Sequence, residues 1–465
     1  MNRKPKIGLL PLYLALYDEA RPETRRGFEP FVAAIVKGFE DAGVEVALAG
    51  VCRIEPEFRQ AVVQFDQADV DLIVTLHLAY SPSLESVDVL AATKRPILML
   101  DTTMDHSFGQ DVDPERIMYN HGIHGVQDLA SMLRRRAKPF EIVVGHVAES
   151  DVLLRAAHIA KAAHAARLLG RTRALRIGPA FVGMGDFSVE EDVLQSVLGI
   201  SVTEVDIDDL ACHVEQVTEK DIAAEMASDR KLFSVEAPEN AHARSVRVGL
   251  GVRRLLDEGG YDAFSMNFAA FNSADGPVDT VPFLEASKAM ARGIGYAGEG
   301  DVLTASLVGA LQRAFGKTTF TEIFCPDWKG GALFLSHMGE INPDVAADSP
   351  RLIEKDYPWS DAQNPAFVAC APAPGLAVLV NLAPGPDDTF TIIPAAVEVL
   401  GDTTNPALRD SVRGWIRPEG GVEAFLEAYS MLGGTHHSAL TLGVDAPSIC
   451  AMAAFANIEC AVPCK

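Results

Sequence analysis

The sequence predicts an α/β protein: two Rossmann-like α/β domains followed by a C-terminal, mainly antiparallel β domain of barrel-like character. Three observations predict it. Until Gly316, near-continuous hydrophobic runs alternate with amphipathic helical segments, as in strands buried on both faces of a parallel sheet. Beyond Gly316, short strands with period-two alternation follow one another between Pro, Gly and Asp turns, the pattern of antiparallel sheets and barrels. The chain has 465 residues, 48% of them hydrophobic, which exceeds one core and suffices for about two to four domains.

The first domain, residues 1–150, opens on the strand KIGLLPL. Its N-terminus, MNRKPKIGLLPLYLALY, has the basic-then-apolar look of a secretory signal. Pro11 interrupts the run, however, and DEARPETRR follows without a small-residue cleavage site, so a first strand is expected. GFEPFVAAIVKGFEDAG reads as an amphipathic helix stopped at Gly43, VEVALAGV as the second strand, and VDLIVTLHL and RPILMLD as the next two. The second domain, residues 151–316, begins with the helical DVLLRAAHIAKAAHAARLLG. It continues through the strand RALRIGPA, the helix SVEEDVLQSVLG, the strand ISVTEVDI, the helix ARSVRVGLGVRRLLDEGG and the strand YDAFSMNF. Neither first strand is followed by GxGxxG, so no dinucleotide site is expected. In the third domain, residues 317–465, TTFTEIF, ALFLSHM, AFVACAPA, LAVLVNLA and TFTIIPAAVEVL are the strands, and SALTLGV follows a helix, VEAFLEAYSML.

Composition excludes some classes. With 40 basic against 64 acidic residues and a formal net charge of -24, the surface repels nucleic acid and anionic membrane. No run approaches the roughly 20 apolar residues that span a bilayer. Seven cysteines, without framework spacing, fit reduced thiols in a cytoplasmic protein. Cys450, Cys460 and Cys464 fall close together but form no CxxC pair.

Three places can carry chemistry. In GYAGEGDVLTASLVGALQRAFG, Asp301 stands where a helix N-cap belongs and Gly316 stops the helix, so Glu299 lies in a glycine-flanked loop at a helix N-terminus. By itself that is an acid favoured by the helix dipole. In TTFTEIFCPDWKGGALFLSHMGEINP, a hairpin centred on Lys329–Gly330 sets Glu322 opposite His337. Opposed residues share a face with Cβ atoms roughly 5 Å apart, close enough for a carboxylate and an imidazole to share one divalent cation. In GGTHHSALTLG, His436 and His437 are adjacent. On extended backbone they point to opposite faces, so at most one joins a given metal from this side.

GYAGEGD before a helix, then TFTEIF, LSHMGEINP and LEAYSMLGGTHHSAL, resemble the L-arabinose isomerase family in order and spacing. Upstream, LALYDE, LHLAYSPS, PILMLDT and IMYNHGIHG extend the resemblance over most of the chain. The resemblance implies a three-domain fold, assembled as a homo-oligomer (trimer or hexamer) with active sites at subunit interfaces. It implies a divalent cation, usually Mn²⁺ (with Co²⁺ or Mg²⁺ as other candidates), bound by Glu299, Glu322, His337 and His437, with His436 in support. His124, with Asn120 nearby, matches a position that reaches a neighbouring subunit's site.

The expected reaction is aldose–ketose isomerisation of a small sugar (pentose, hexose or deoxy sugar) through an enediol intermediate. Glu299 and Glu322 form the acid/base pair, their order undecided. Where the family's arabinose enzymes carry a glutamine in the first-strand loop, this chain has Leu14. An amide expected to face the sugar is therefore missing, which points to a smaller or deoxygenated substrate. Tyr80, Met184, Phe268 and Phe271 are further expected wall residues. Two alternatives share the motifs: a metal-dependent sugar epimerase, and a catalytically inactive sugar-binding protein of the same fold.

Overall fold

The structure, a computed structural model, describes residues 3–402 and 406–463, so Cys464 lies outside the described residues. The chain divides into two compact units, Met1–Arg167 and Leu168–Lys465. In the first, β1 (Lys6–Leu12), β2 (Glu45–Leu48), β3 (Leu72–His77), β4 (Ile97–Asp101) and β5 (Glu141–Val144) form a parallel sheet in the order β2-β1-β3-β4-β5. All residues of β3 and β4 are buried, which is why they read as unbroken apolar runs. Pro11 does not end β1. It pairs with Leu76 of β3 after β2 has stopped at Leu48, so the missing N–H leaves no gap in the β2 ladder.

The second unit opens with β6 (Arg173–Ile177), β7 (Ser201–Val205), β8 (Ser234–Val235), β9 (Ala263–Met266) and β10 (Gly295–Gly298). Four of them make a second parallel sheet, β10-β9-β6-β7. The strands that follow are β11 (Thr318–Asp327), β12 (Ala332–Ser336), β13 (Arg351–Glu354), β14 (Ala366–Ala369), β15 (Gly375–Pro384), β16 (Phe390–Val399), β17 (Gly414–Pro418), β18 (His437–Leu442) and β19 (Glu459–Cys460). The antiparallel order β15-β18-β11-β12-β17-β16 closes through β15–β16 into a six-stranded barrel, and β19 adds to β16 in parallel. Inside it, Leu333, Leu335, Leu379, Ile393, Ile416 and Leu440 pack against Phe425 and Tyr429 of the helix Val422–Met431.

Two expectations are corrected. AFVACAPA contributes β14, but β14 pairs with β13, which runs parallel to β8, outside the barrel. All four of its residues are buried, and Ala366 and Val368 share a core with Ile222, Met226 and Val246 of two helices; a short apolar run carries no mark of which sheet it joins. The β11–β12 hairpin does pair Cys325 with Phe334 and Asp327 with Ala332, but the register shifts between Ile323 and Cys325. A bulge there leaves Phe324 unpaired, and Glu322 faces Ser336 rather than His337. One inserted residue offsets everything beyond it by one position.

The helix Val302–Phe315 ties the parallel sheet to the barrel. It packs against β9 and β10 on one side and against β11 and β18 on the other. Leu303, Leu307 and Leu311 are fully buried, each stabilising by on the order of 1.5–3 kcal/mol. Close approach to β10 requires Gly295 and Gly309, since a Cβ on Gly295 would lie 1.9 Å from the Ala305 carbonyl oxygen. The loop entering this helix carries Glu299, and the strand leaving it carries Glu322. No helix among the described residues is long and apolar enough to cross a membrane.

Candidate metal centre

Glu299 follows β10 directly, at the carboxyl edge of the second parallel sheet, where ligand sites of open α/β sheets gather. Its φ of 55° places it in the left-handed region, sparsely used by residues other than glycine. The loop is pinned from both sides. Ser265 Oγ donates to the carbonyl oxygen of Ala297 (2.7 Å) and accepts from the Gly300 N–H (2.9 Å), while the Phe181 N–H donates to the Glu299 carbonyl (2.9 Å). Asp301 caps the helix, accepting from the Thr304 N–H at 2.8 Å.

From the barrel come the other members. Glu322 on β11 pairs with His437, the first residue of β18, so the two share a face. His337 stands one residue beyond the end of β12. The ligand atoms of Glu299, Glu322, His337 and His437 all lie within 4.8 Å of one another. His437 Nε2 is 2.9 Å from Glu299 Oε2 and 3.0 Å from Glu322 Oε1. His337 Nε2 is 3.6 Å from Glu299 and 3.5 Å from Glu322, too far for hydrogen bonds, and this buried nitrogen has no partner. Gly298 makes room for it: a Cβ there would sit 2.9 Å from His337 Cε1.

Each ring's outer nitrogen is held by a buried carboxylate. His437 Nδ1 lies 2.9 Å from Asp301 Oδ2, and His337 Nδ1 lies 2.7 Å from Glu340 Oε2. Glu340 is itself fixed by the Tyr296 hydroxyl (2.7 Å) and the Gly339 N–H (2.8 Å). A proton on Nδ1 facing a carboxylate leaves Nε2 with a lone pair aimed at the cluster, the arrangement of metal-binding histidines. Phe320 meets both rings edge-on, and Phe187 stacks on His437 at 5.1 Å.

The electrostatics report a demand for positive charge. Burial raises the Glu299 carboxyl, but a hydrogen bond from His437 and the charge of both imidazoles outweigh it and hold it well below the usual carboxylate range. Burial opposes a charged His337, yet Glu340 and Glu299 raise its pKa to about 10. His437 rises well above its ordinary value despite burial, through bonds to Asp301, Glu299 and Glu322. Four carboxylates around two imidazoles, a partnerless Nε2 and mixed N/O donors suit a divalent transition metal.

The remaining residues singled out in the sequence fall into two groups. His436 is 37% exposed at its side chain, against 0% for His437. Its backbone N–H and Nδ1 both meet Asp186 Oδ2, at 2.9 and 2.6 Å, and its Nε2 lies 3.7 Å from Glu322. Met184 lies in the loop after β6, half-buried, and Phe268 in the loop after β9, stacked on Phe181. Phe271 is 1% exposed. A cavity of about 250 Å³ reaches His337, with Phe283, Phe334, Tyr357, Trp359 and Phe367 in its walls.

In the first unit, Leu14 follows β1, Tyr80 follows β3, and Asn120 and His124 lie between β4 and β5, all beyond carboxyl ends of parallel strands. Tyr80 reaches Asp128 at 3.4 Å. The Asn120 amide is engaged by Asp105 and the Arg116 carbonyl, and His124 is exposed, edge-on to His121.

Sequence reasoning missed three orienting acids. Asp301 read only as a helix cap, although it stands two residues after Glu299. Glu340 follows His337 by three residues, a spacing that would have drawn notice. Asp186 has no local signal, because only folding brings it to His436.

Family models for the N-terminal, central and C-terminal domains of L-arabinose isomerase match residues 30–169, 188–316 and 317–459. The chain is 27% identical to the L-arabinose isomerase of Nocardioides sp. over 417 residues, 86% of this chain and 82% of that one. It is 27% identical to that of Acidothermus cellulolyticus over 446 residues, 92% and 87%. It is also similar to that of Leuconostoc mesenteroides, 25% identical over 448 residues, 92% and 93%.

Proposed function

Because the chain belongs to the L-arabinose isomerase family and is an aldose–ketose isomerase, we propose that its reaction takes place at Glu299, Glu322, His337 and His437 and depends on a divalent cation, Mn²⁺ first among the candidates. The observation that carries this reading is the convergence of those four side chains, with both imidazole Nε2 atoms turned inward. A bound cation would supply the positive charge that polarises the sugar carbonyl and lowers the barrier to its enediol.

The protein's own groups do the rest. Glu299 and Glu322 are the carboxylates in reach of a substrate at the cluster. One takes the proton from the carbon beside the carbonyl, and the other moves a proton between the two sugar oxygens. Asp301 and Glu340 keep both rings in the tautomer that presents a lone pair. Phe187 and Phe320, packed on the imidazoles, keep water from their faces. The substrate is a small sugar. Leu14 in place of an amide favours one smaller or less hydroxylated than L-arabinose, with Tyr80, Asn120, His124, Met184, Phe268, Phe271 and His436 as candidate contacts. A cytoplasmic trimer or hexamer, with His124 given to a neighbouring subunit, completes the reading.

The test is a panel of tetroses, pentoses, hexoses and deoxy sugars incubated with Mn²⁺ in deuterated solvent and assayed for ketose. Ketose with deuterium beside the carbonyl is expected from at least one deoxy or smaller sugar. A C2 epimer without ketose, or no conversion of any sugar, overturns the proposal.

A further inference from the structure

The C-terminal tail holds a second pair of chemically active side chains, independent of the sugar site. The helix Ala446–Ala456 ends at Asn457, whose φ of 58° turns the chain back on itself, and the Ile458 N–H returns to the Ala453 carbonyl. This reversal lays β19 beside β16 and brings Cys460 to Cys450, with the two sulfur atoms 2.6 Å apart. That is closer than unbonded sulfurs pack, and a small side-chain adjustment from the roughly 2.05 Å of a disulfide. Both cysteines are partly exposed, within reach of a small reagent. Of the other described cysteines, Cys52 and Cys370 are buried, and Cys212 and Cys325 are exposed on other elements.

We propose that Cys450 and Cys460 are an oxidisable pair whose disulfide fastens the last strand of the chain to the helix before it. The co-reactant is a small disulfide such as glutathione disulfide. The thiolate of one cysteine attacks it, forming a mixed disulfide and releasing one glutathione thiolate. The thiolate of the second cysteine then attacks the protein-bound sulfur, forming the Cys450–Cys460 bond and releasing the second glutathione. The protein loses two electrons and two protons, and both end on the two glutathione thiols.

The fold gives the bond a use. β19 has two residues in register with β16, Glu459 with Thr391 and Cys460 with Ile392, and one further bond from the Ala461 N–H to the Ile392 carbonyl. So short an edge strand is marginal by itself. A covalent link closing a short loop removes the states in which the tail has detached.

The protein is equilibrated in graded mixtures of reduced and oxidised glutathione, alkylated, and mapped by mass spectrometry without reduction. A single cross-linked peptide joining Cys450 to Cys460 is expected in the native chain and in Cys464→Ser, disappearing on reduction. Carboxypeptidase trimming of the oxidised Cys464→Ser protein should slow at least severalfold relative to its reduced form. Full alkylation of both thiols at every mixture, stable glutathione adducts without a cross-link, or a cross-link to Cys464 would each overturn the pairing. Unchanged trimming of a cross-linked protein would overturn the fastening.

Discussion

Replacing Asp301 with Asn tests the orienting role of the buried acids most sharply, because the carboxylate has two duties, one per oxygen. One oxygen accepts from the Thr304 N–H at 2.8 Å, and the other faces His437 Nδ1 at 2.9 Å. An amide has only one acceptor. With its oxygen on Thr304, the NH₂ faces Nδ1, and the ring must carry its proton on Nε2, the nitrogen that points at Glu299 and Glu322. That tautomer cannot ligate. With the amide reversed, the ring keeps its tautomer but the helix loses its cap, about 1 kcal/mol, and leaves a buried N–H unpaired, about 1–3 kcal/mol. The metal-free variant keeps the Thr304 cap, so metal binding must reverse the amide, and affinity falls by near 1–3 kcal/mol, roughly tenfold to a hundredfold. Calorimetric titration of dialysed Asp301→Asn with Mn²⁺ measures it, and thermal melts of the metal-free protein report the cap separately. Native affinity in the variant would refute the claim that Asp301 sets the ring's tautomer.

Dialysis against a chelator should abolish turnover and Mn²⁺ should restore it; activity that survives complete metal removal refutes the dependence. His437→Ala should weaken Mn²⁺ binding more than His436→Ala, because His437 is enclosed by Glu299 and Glu322 whereas His436 is tethered to Asp186; equal effects in titration would contradict that division. Gly298→Ala should displace His337 through the 2.9 Å contact of its Cβ, lowering Mn²⁺ affinity and destabilising the fold by about 1–3 kcal/mol; an unchanged melting temperature and titration would show that the ring has room to move.

Much of this centre is legible in the sequence, for physical reasons that vary by residue. Glu299 can be placed because Asp301 and Gly316 mark the helix ends, and helix ends follow from local chemistry. The closing of the barrel is less legible, since β15 finds β16 next in the chain, whereas β18 joins β15 and β11 only through long-range pairing. The hairpin register departs from the symmetric expectation by one residue, because nothing in TEIFCPD announces a bulge at Phe324. The strand partner of Glu322 within the cluster is therefore His437 on β18, and His337 arrives from beyond the end of β12. β14 carried a correct strand signal into the wrong sheet, as short apolar runs do when both faces are buried.

Several unfavourable features of the second unit meet at this one place. Glu299 occupies a left-handed conformation that costs a side-chain-bearing residue on the order of 1–3 kcal/mol. Asp301 and Glu340 are buried at 1% exposure and Glu299 at 4%, where charge is disfavoured unless it is paired. His337 Nε2 is a buried polar atom left without a hydrogen bond. A glycine at 299 would relieve the strain, and apolar residues at the buried acids would relieve the charge, so folding alone does not call for this arrangement. The surrounding structure compensates with Ser265 of β9 bonded to the glycine loop, Tyr296 on Glu340 and the Asp301 cap. What the strain achieves is direction: it turns a carboxylate at the edge of one sheet toward imidazoles held by another. A positive charge bound between them would satisfy the acids and the orphaned nitrogen together, which no single hydrogen bond from the protein does.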